Sequence, residues 1–533
     1  MKIPAGFIIF PLALLLVSFI IPPAGEFPLN DDWIFAWPVK HFLETGELRL
    51  LDDCAPSIIF QVIWGRLACT AAGGFSFTAL RYSVLLLSLA GLLFFYMLLR
   101  KYTGSEKLPL LGTFLLMLNP LWLVLSYTFM TDVPYMALAI ASVYFYYSGM
   151  RSGNNLHFLA GSAFSALAYL NRQLGIAIPF SALLYLLMAK KLDMKKATVI
   201  SAIPVLAAAG HTAWFRYAHG LTWIYENGIA TGLSFRGILT RPLGSLIYLG
   251  LFLLPLSACL AAPLRKPAGK TRFIHGMLTA CTAASLAIFV VLSGLFPYFE
   301  NTIHNYGLGT VTVADVSAKA SSFLGSQWFR IILTLSGFLS VLRIIHLAAG
   351  HAPGTYEKHT PFLLMAFLGQ FAVSVMRAKF FDRYLLVMVP AGIILLLPLI
   401  DRYKKSILPA APLTALLCLY TLAGIHDYMN WNRAKWEAGG SAAEHGLKPG
   451  EVANGFDWDA WHTYPQNMEK LKSLKPAGAI REWEWQSLNR YRAIVSFSPR
   501  LNGKGYRLSG RAYYKTPLSR KPRGIYLWLL PAN

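Results

Sequence analysis

The chain reads as an all-α polytopic membrane protein with a small C-terminal α/β extracytoplasmic domain. Three observations predict this. Of its 533 residues, 56% are hydrophobic and only 14% charged, against about 25% charged in an ordinary soluble domain. Long apolar runs recur from the N-terminus to about residue 424. Beyond that point charge, turn residues and Trp increase and long apolar runs stop.

A bilayer-crossing helix takes about 20 mostly apolar residues. Thirteen segments are predicted to cross: 5–23, 80–99, 108–126, 133–149, 156–170, 174–189, 197–213, 243–262, 274–295, 328–349, 360–376, 384–400 and 407–424. The first reads as an uncleaved helix. Lys2, an apolar stretch and Pro22-Pro-Ala-Gly25 have the leader pattern, but many spans follow. The run Ser57–Ala72 is apolar but short, and it carries Gln61 and Arg66. It reads as a helix lying along the outer surface, within an outward loop 24–79. The transmembrane unit is therefore 1–424.

Charge sets the orientation. The basic loops Arg100-Lys101…Lys107, Lys190-Lys191…Lys195-Lys196, Arg265-Lys266…Lys270-Arg272 and Arg402…Lys404-Lys405 fall on one side, with Arg151 and Lys358. The positive-inside rule makes that side cytosolic. The outward regions are then 24–79, 127–132, 171–173, 214–242, 296–327, 377–383 and 425–533. The absence of any Asn-x-Ser/Thr sequon favours a bacterial inner membrane, with the C-terminal unit in the periplasm. Four of the five cysteines lie in apolar runs, where Cys acts as a small hydrophobe. Cys54 alone falls in an outward loop, so no disulfide or Cys metal site is expected.

Residues 425–533 form the second predicted unit. Arg492–Phe497, Gly505–Ser509 and Gly524–Leu529 read as short strands, and 466–475 and 479–489 as helical. From Arg490 to Arg523 the segment is basic with no acid. It suits either anionic lipid headgroups or an anionic acceptor. The formal net charge of +23 does not imply a nucleic-acid partner, because much of it sits in short loops between apolar runs.

The chemistry-bearing residues cluster at outward ends of the helices. Asp31-Asp32 follows the first apolar segment in Phe27-Pro-Leu-Asn-Asp-Asp-Trp33, and Asp132 sits in Tyr127-Thr-Phe-Met-Thr-Asp-Val-Pro-Tyr135. Carboxylates at a membrane boundary are costly and mark function more often than not. One can serve as general base on an acceptor hydroxyl or amine, and a second can orient it or raise its pKa. Helix capping is the alternative for both sites. Arg172, in Tyr169-Leu-Asn-Arg-Gln-Leu-Gly175, can grip phosphate oxygens with its fork of donors or snorkel to headgroups. Arg383, in Lys379-Phe-Phe-Asp-Arg-Tyr-Leu386, can do the same or pair with Asp382. The aromatic stretches Trp214…Trp223-Ile-Tyr225 and Phe296-Pro-Tyr-Phe-Glu300 suit sugar stacking or interfacial anchoring. Glu300, Asn301 and His304 could line a pocket, and Glu300 and His304 are candidates for an acceptor or sugar pocket. His211, His219, His304 and His426 lack metal-ligand spacing, and no Walker loop, GxSxG, HExxH or paired CxxC occurs.

These motifs resemble the GT-C superfamily of membrane glycosyltransferases, within it the protein-mannosyltransferase and ArnT-like group (glycosyltransferase family 39 and relatives). The matching stretches are Asp31-Asp32-Trp-Ile-Phe-Ala…Gly46-Glu-Leu48, Phe129-Met-Thr-Asp-Val-Pro134, Tyr169-Leu-Asn-Arg-Gln-Leu-Gly175 and Asp382-Arg-Tyr-Leu-Leu386. The resemblance is good over 1–190, moderate to about 425 and weak beyond. It implies a transferase that takes a sugar from a polyprenyl-phosphate donor and passes it to an extracytoplasmic lipid, glycan or protein. It also implies catalytic roles for Asp31, Asp32 and Asp132, with donor-phosphate binding by Arg172, Arg383 and Lys379. The chain lacks the β-trefoil insert of protein-mannosylating members and the fuller acidic, Lys-rich first loop of the aminoarabinose enzymes. Neither a protein nor lipid A is therefore implied as acceptor. A divalent cation, Mg²⁺ or Mn²⁺, is left open at Asp31 and Asp132, since hard oxygen ligands suit either. The competing reading is a flippase or transporter of lipid-linked sugars. That reading calls for ionisable residues deep in the spans and for matching broken helices in two halves.

Overall fold

The computed structural model describes residues 3–229, 231–260, 270–304, 307–309, 312–313, 316–317, 324–350, 356–501, 505–517 and 522–530. Arg265 and Lys266 of the expected inward loop, and Lys504, Arg520 and Lys521 of the basic tail, lie outside the described residues.

A helix stands at each of the thirteen expected segments, but not every one passes as a span by length and hydropathy. Six helices among the described residues are long and apolar enough to cross a bilayer, or seven if one bent pair counts as a single span. The bent pair shows one cause. Lys107–Met117 and Pro120–Ser126 meet at 64°, where Asn119 accepts the Leu121 N–H and Pro120 starts the second helix. An apolar run can be long in sequence yet broken as a helix. Helix Asp132–Ser152 shows another cause. It is almost wholly buried, so neighbouring helices accommodate its Tyr and Ser side chains and it need not be uniformly apolar.

The spans expose apolar side chains on their outer faces, including Phe19, Leu206, Val291 and Leu339. A water-soluble surface does not carry so many exposed large hydrophobics, whereas hydrocarbon solvates them freely. The chain is a multi-pass membrane protein. The most enclosed span is Asp382–Arg402, which enters through a 3-10 turn at Asp382–Val387.

Two helices lie in the first loop, Asp32–Thr45 and Ile59–Ala71. The second has 13 residues, about 20 Å of rise, less than the roughly 30 Å of hydrocarbon.

Helix Ala410–Gly440 is 31 residues long, about 47 Å. It passes residue 424 without a break and projects beyond a bilayer's thickness. After it comes a four-stranded sheet in the order Val452–Ala453, Ala493–Ser496, Arg523–Leu529, Arg507–Tyr514. The first pair is parallel and the rest antiparallel. Helix Phe456–Leu474 supplies the aromatic face toward the first loop. Trp33 packs on Tyr464 at 4.9 Å and on Phe456 at 5.7 Å between ring centroids. One apolar core runs from Phe10 through Trp33 and Tyr464 to Leu527. The C-terminal region is thus part of the wall that holds the first loop in place.

Candidate active site

Three interhelical loops are tied together before any site side chain is considered. Gln61 Nε2 donates to Phe129 O at 2.5 Å, Ser57 Oγ to Tyr169 O at 2.6 Å and Asn171 Nδ2 to Thr131 O at 3.1 Å. These bonds bring the ends of helices Asp132–Ser152 and Asn155–Asn171 against the first loop. The chain then turns sharply after Arg172, whose backbone is extended. Gly175 allows this turn, because a Cβ there would lie 2.4 Å from Tyr169 N.

The result is a cavity of about 1110 Å³ lined by Asp31, Asp132, Arg172 and Arg383 together. Arg383 Nη1 donates to Asp31 Oδ2 at 3.1 Å, and Arg172 Nη1 to Asp132 Oδ1 at 2.5 Å. Arg383 Nε and Asp132 Oδ2 face each other at 3.9 Å, too far for a hydrogen bond. Both atoms are buried, and neither has a hydrogen-bond partner among the described residues. Two carboxylates and two guanidiniums therefore form an alternating chain, Asp31–Arg383–Asp132–Arg172, with an unmet donor near its centre. Tyr384 lies between the cations, its ring centroid 5.4 Å from Arg172 Cζ and 5.8 Å from Arg383 Cζ.

Neither acid is a side-chain cap. Asp31 stands at the N-cap of helix Asp32–Thr45 without a capping hydrogen bond, and Asp132 is the first helical residue after a Thr131 that makes none. The local pairing of Arg383 with Asp382 does not form either. The Asp382 carboxylate instead accepts the N–H groups of Thr302 and Ile303. Arg383 is freed to reach across to the first two loops.

Of the other residues predicted as catalytic or phosphate-binding, only Lys379 lines the cavity. Asp32 is fully buried and does not line the cavity. Its Oδ1 accepts Leu29 N–H at 2.6 Å and its Oδ2 accepts Phe129 N–H at 3.1 Å. Burial pushes its pKa up to about 7 against the opposing pull of Arg81. Asp32 fastens the first loop to the second, so its neighbour Asp31 is held in place. Lys379 lines the cavity, and its ammonium pairs with Glu482 of the C-terminal region. Glu300 is exposed and outside the lining. His304 turns back, Nε2 to Asn301 O at 3.1 Å, and burial lowers its pKa.

Of the pocket candidates Glu300, Asn301 and His304, Asn301 lines the cavity, and its Oδ1 accepts from Arg383 Nη1 at 3.3 Å and from Asn30 Nδ2 at 3.0 Å. Sequence reasoning missed Asp53 in the cavity wall. The available signal was a second acidic pair, Asp52-Asp53, in the same loop. Asp52 is occupied by Lys472 Nζ at 2.5 Å. Asp53 has its pKa pushed up to about 7 by burial, with Asp52 adding to the rise. Phe456, Trp483 and Gln486 complete the wall from the C-terminal side.

The divalent-cation option fails on the donor set. Asp31 and Asp132 are each already paired with a guanidinium. No group of three His, Cys, Asp or Glu side chains is placed to hold a metal among the described residues. Paired in this way, these residues do not fit a metal.

Fold and site together define a multi-pass membrane protein with a charged cavity at the ends of its helices. Residues 61–214, which include Asp132 and Arg172, match the family described as dolichyl-phosphate-mannose-protein mannosyltransferase. The resemblance to GT-C glycosyltransferases read from the motifs is borne out by that match. Among solved structures, the chain is similar to ArnT from Cupriavidus metallidurans bound to undecaprenyl phosphate. The identity is 15%, with 100% of this chain and 99% of that chain covered and a TM-score of 0.43. It is also similar to the archaeal oligosaccharyltransferase AglB from Archaeoglobus fulgidus, in complex with an inhibitory peptide and a dolichol-phosphate. There the identity is 13%, the coverage 83% and 59%, and the TM-score 0.39. No curated protein matches. These structural likenesses are distant, and the site rests on its own geometry.

Proposed function

We propose that this protein transfers a sugar from a polyprenyl-phosphate donor to an extracytoplasmic lipid, glycan or protein acceptor. The observation that carries the reading is the unmet, buried Arg383 Nε beside the Asp31–Arg383–Asp132–Arg172 chain. A buried donor without an acceptor is costly, and an entering phosphate oxygen would satisfy it. Arg172 and Arg383 would hold the donor phosphate and stabilise the leaving polyprenyl phosphate as charge develops on it. Lys379, at the rim, would add long-range attraction. The lipid tail would lie in a groove between helices.

Asp31 is the candidate base. Its side chain is 21% exposed against 2% for Asp132, and it meets one guanidinium where Asp132 meets two. In the proposed step an acceptor oxygen or nitrogen attacks the anomeric carbon as Asp31 takes its proton. The C–O bond to phosphate breaks on the opposite side, so configuration inverts. Asp132 would orient the two guanidiniums, and Asp32 acts on Asp31 only through the backbone. We place the transmembrane catalytic unit at 1–424, with 425–533 as a periplasmic unit, in a bacterial inner membrane.

The test is to delete the gene and profile envelope glycans by mass spectrometry, then to restore the wild type or Asp31→Asn. Loss of one sugar, recovered with the wild type and not with the variant, is expected. Loss of the sugar with the lipid-linked sugar accumulating on the periplasmic side supports transfer, and its accumulation on the cytosolic side would replace transfer with flipping.

A further inference from the structure

The cavity has a wall that the charge chain does not use. Segment 477–486 crosses from the C-terminal region onto the transmembrane loops. Trp223 Nε1 donates to Ala477 O at 3.1 Å, and Lys379 pairs with Glu482. Directly after the second anchor Trp483 adopts φ 65°, a left-handed conformation that bulky residues avoid. Its side chain is 43% exposed, and it lines the cavity. Phe456 holds the ring edge-to-face at 4.9 Å, and the Lys379 ammonium lies 5.6 Å from its centroid.

Strained backbone that survives in a fold is a pointer to function, and an exposed indole at a cavity rim is not explained by core packing. An interfacial anchor is a poor account of it, because Glu482 and Glu484 flank it in sequence and the Lys379–Glu482 ion pair lies beside it. The chemistry that fits is a pyranose. One face of such a ring is a patch of weakly electropositive C–H groups that suits the negative face of an indole. Its hydroxyls, at the ring edge, need donors and acceptors close by. Gln486 and Asp53 line the same cavity and supply both.

We propose that Trp483 is the platform of a sugar subsite in which a pyranose ring stacks on the indole and hydrogen-bonds to Gln486 and Asp53. This rests on the transfer reading and deepens it, since it makes the C-terminal region a reader of the sugar. Either the donor's sugar or a glycan acceptor can supply the ring.

The test uses the full-length protein in lipid nanodiscs, because a maltoside detergent would itself offer sugar. Saturation-transfer NMR with free glucose, mannose, galactose and N-acetylglucosamine disaccharides probes the acceptor source. Affinity for undecaprenyl phosphate with and without an attached hexose probes the donor source. Trp483→Ala is expected to weaken one of these sugar-dependent signals about five- to tenfold, as loss of a stacking partner does, and Trp483→Phe to retain most of it. Undecaprenyl phosphate itself should bind wild type and Trp483→Ala equally, which reports an intact fold. If the lipid phosphate binds and neither sugar signal responds to Trp483→Ala, the subsite is wrong and the transfer reading stands. If sugars bind through Trp483 and the lipid phosphate does not bind, the transfer reading is wrong and the platform remains.

Discussion

Arg383 Nη1 reaches Asp31 Oδ2 at 3.1 Å, joining residues 352 positions apart. The contact closes the cavity's charge chain and decides which carboxylate has freedom to act. Asp132 is held between two cations, and Asp31 keeps an open side.

Asp31→Asn keeps shape and loses basicity. Transfer should fall by about 10²–10⁴, the usual worth of a positioned base. Binding of undecaprenyl phosphate should change little. Glycan profiling and a lipid-binding assay on the same preparation separate the two effects.

Arg383→Met should do more than lower activity. Removing one partner of a buried ion pair costs about 3–5 kcal/mol, here because Asp31 and Asp132 lose a shared cation. The double variant Asp31→Asn/Arg383→Met should regain part of the melting temperature and none of the transfer. Thermal unfolding in nanodiscs reads the first outcome and glycan profiling the second.

Gly175→Ala should damage the site without touching a charge. The added Cβ would meet the Tyr169 backbone at 2.4 Å, so the turn that aims Arg172 must open. Overpacking of this kind costs about 1–3 kcal/mol, and lipid-phosphate affinity should fall with it. Equal affinity in the variant would show that Arg172 is not positioned by this turn.

Lys379→Ala gives the contrast. Its pair with Glu482 is 44% and 31% exposed on the two sides, and exposed pairs contribute about 0–1 kcal/mol. Melting should barely move, while donor capture should slow most at low salt. Association rates measured across ionic strength check this.

Stability should fall as pH rises toward 8. Asp32, Asp53 and Asp459 all have pKa values pushed up to about 7, in each case chiefly by burial. Their ordinary value is 3.8. Between about 4 and 7 the folded chain holds protons that the unfolded chain releases. By linkage, unfolding free energy then declines with rising pH. Melting temperatures taken from pH 5 to 8 should drop, and Asp53→Asn should flatten part of the slope.

Much of the site was legible in the sequence because its four charges each mark the end of an apolar segment. Asp31, Asp132, Arg172 and Arg383 announce themselves by where they interrupt hydrophobicity. Asp32 misled for a physical reason. Adjacent residues on a helix point in different directions, so one member of an acidic pair faces the cavity and the other the core. Asp53 and Trp483 sit in irregular backbone, where no period ties a residue to a face. The break at Asn119-Pro120 was not visible, since composition records how apolar a stretch is and not whether its helix is straight. The C-terminal strands were visible as short β-branched and aromatic runs, but the docking of Tyr464 on Trp33 was not, because nothing local encodes a contact over that distance.

The shared core between Trp33 and Tyr464 constrains how this protein can be re-engineered. Cutting the chain after Gly440 would strip the cover from the first loop and leave bare indole at the membrane surface, a recipe for aggregation. Grafting a foreign tail would succeed only if the matching surface of residues 27–77 travelled with it. The two ends of the polypeptide must therefore change as a unit.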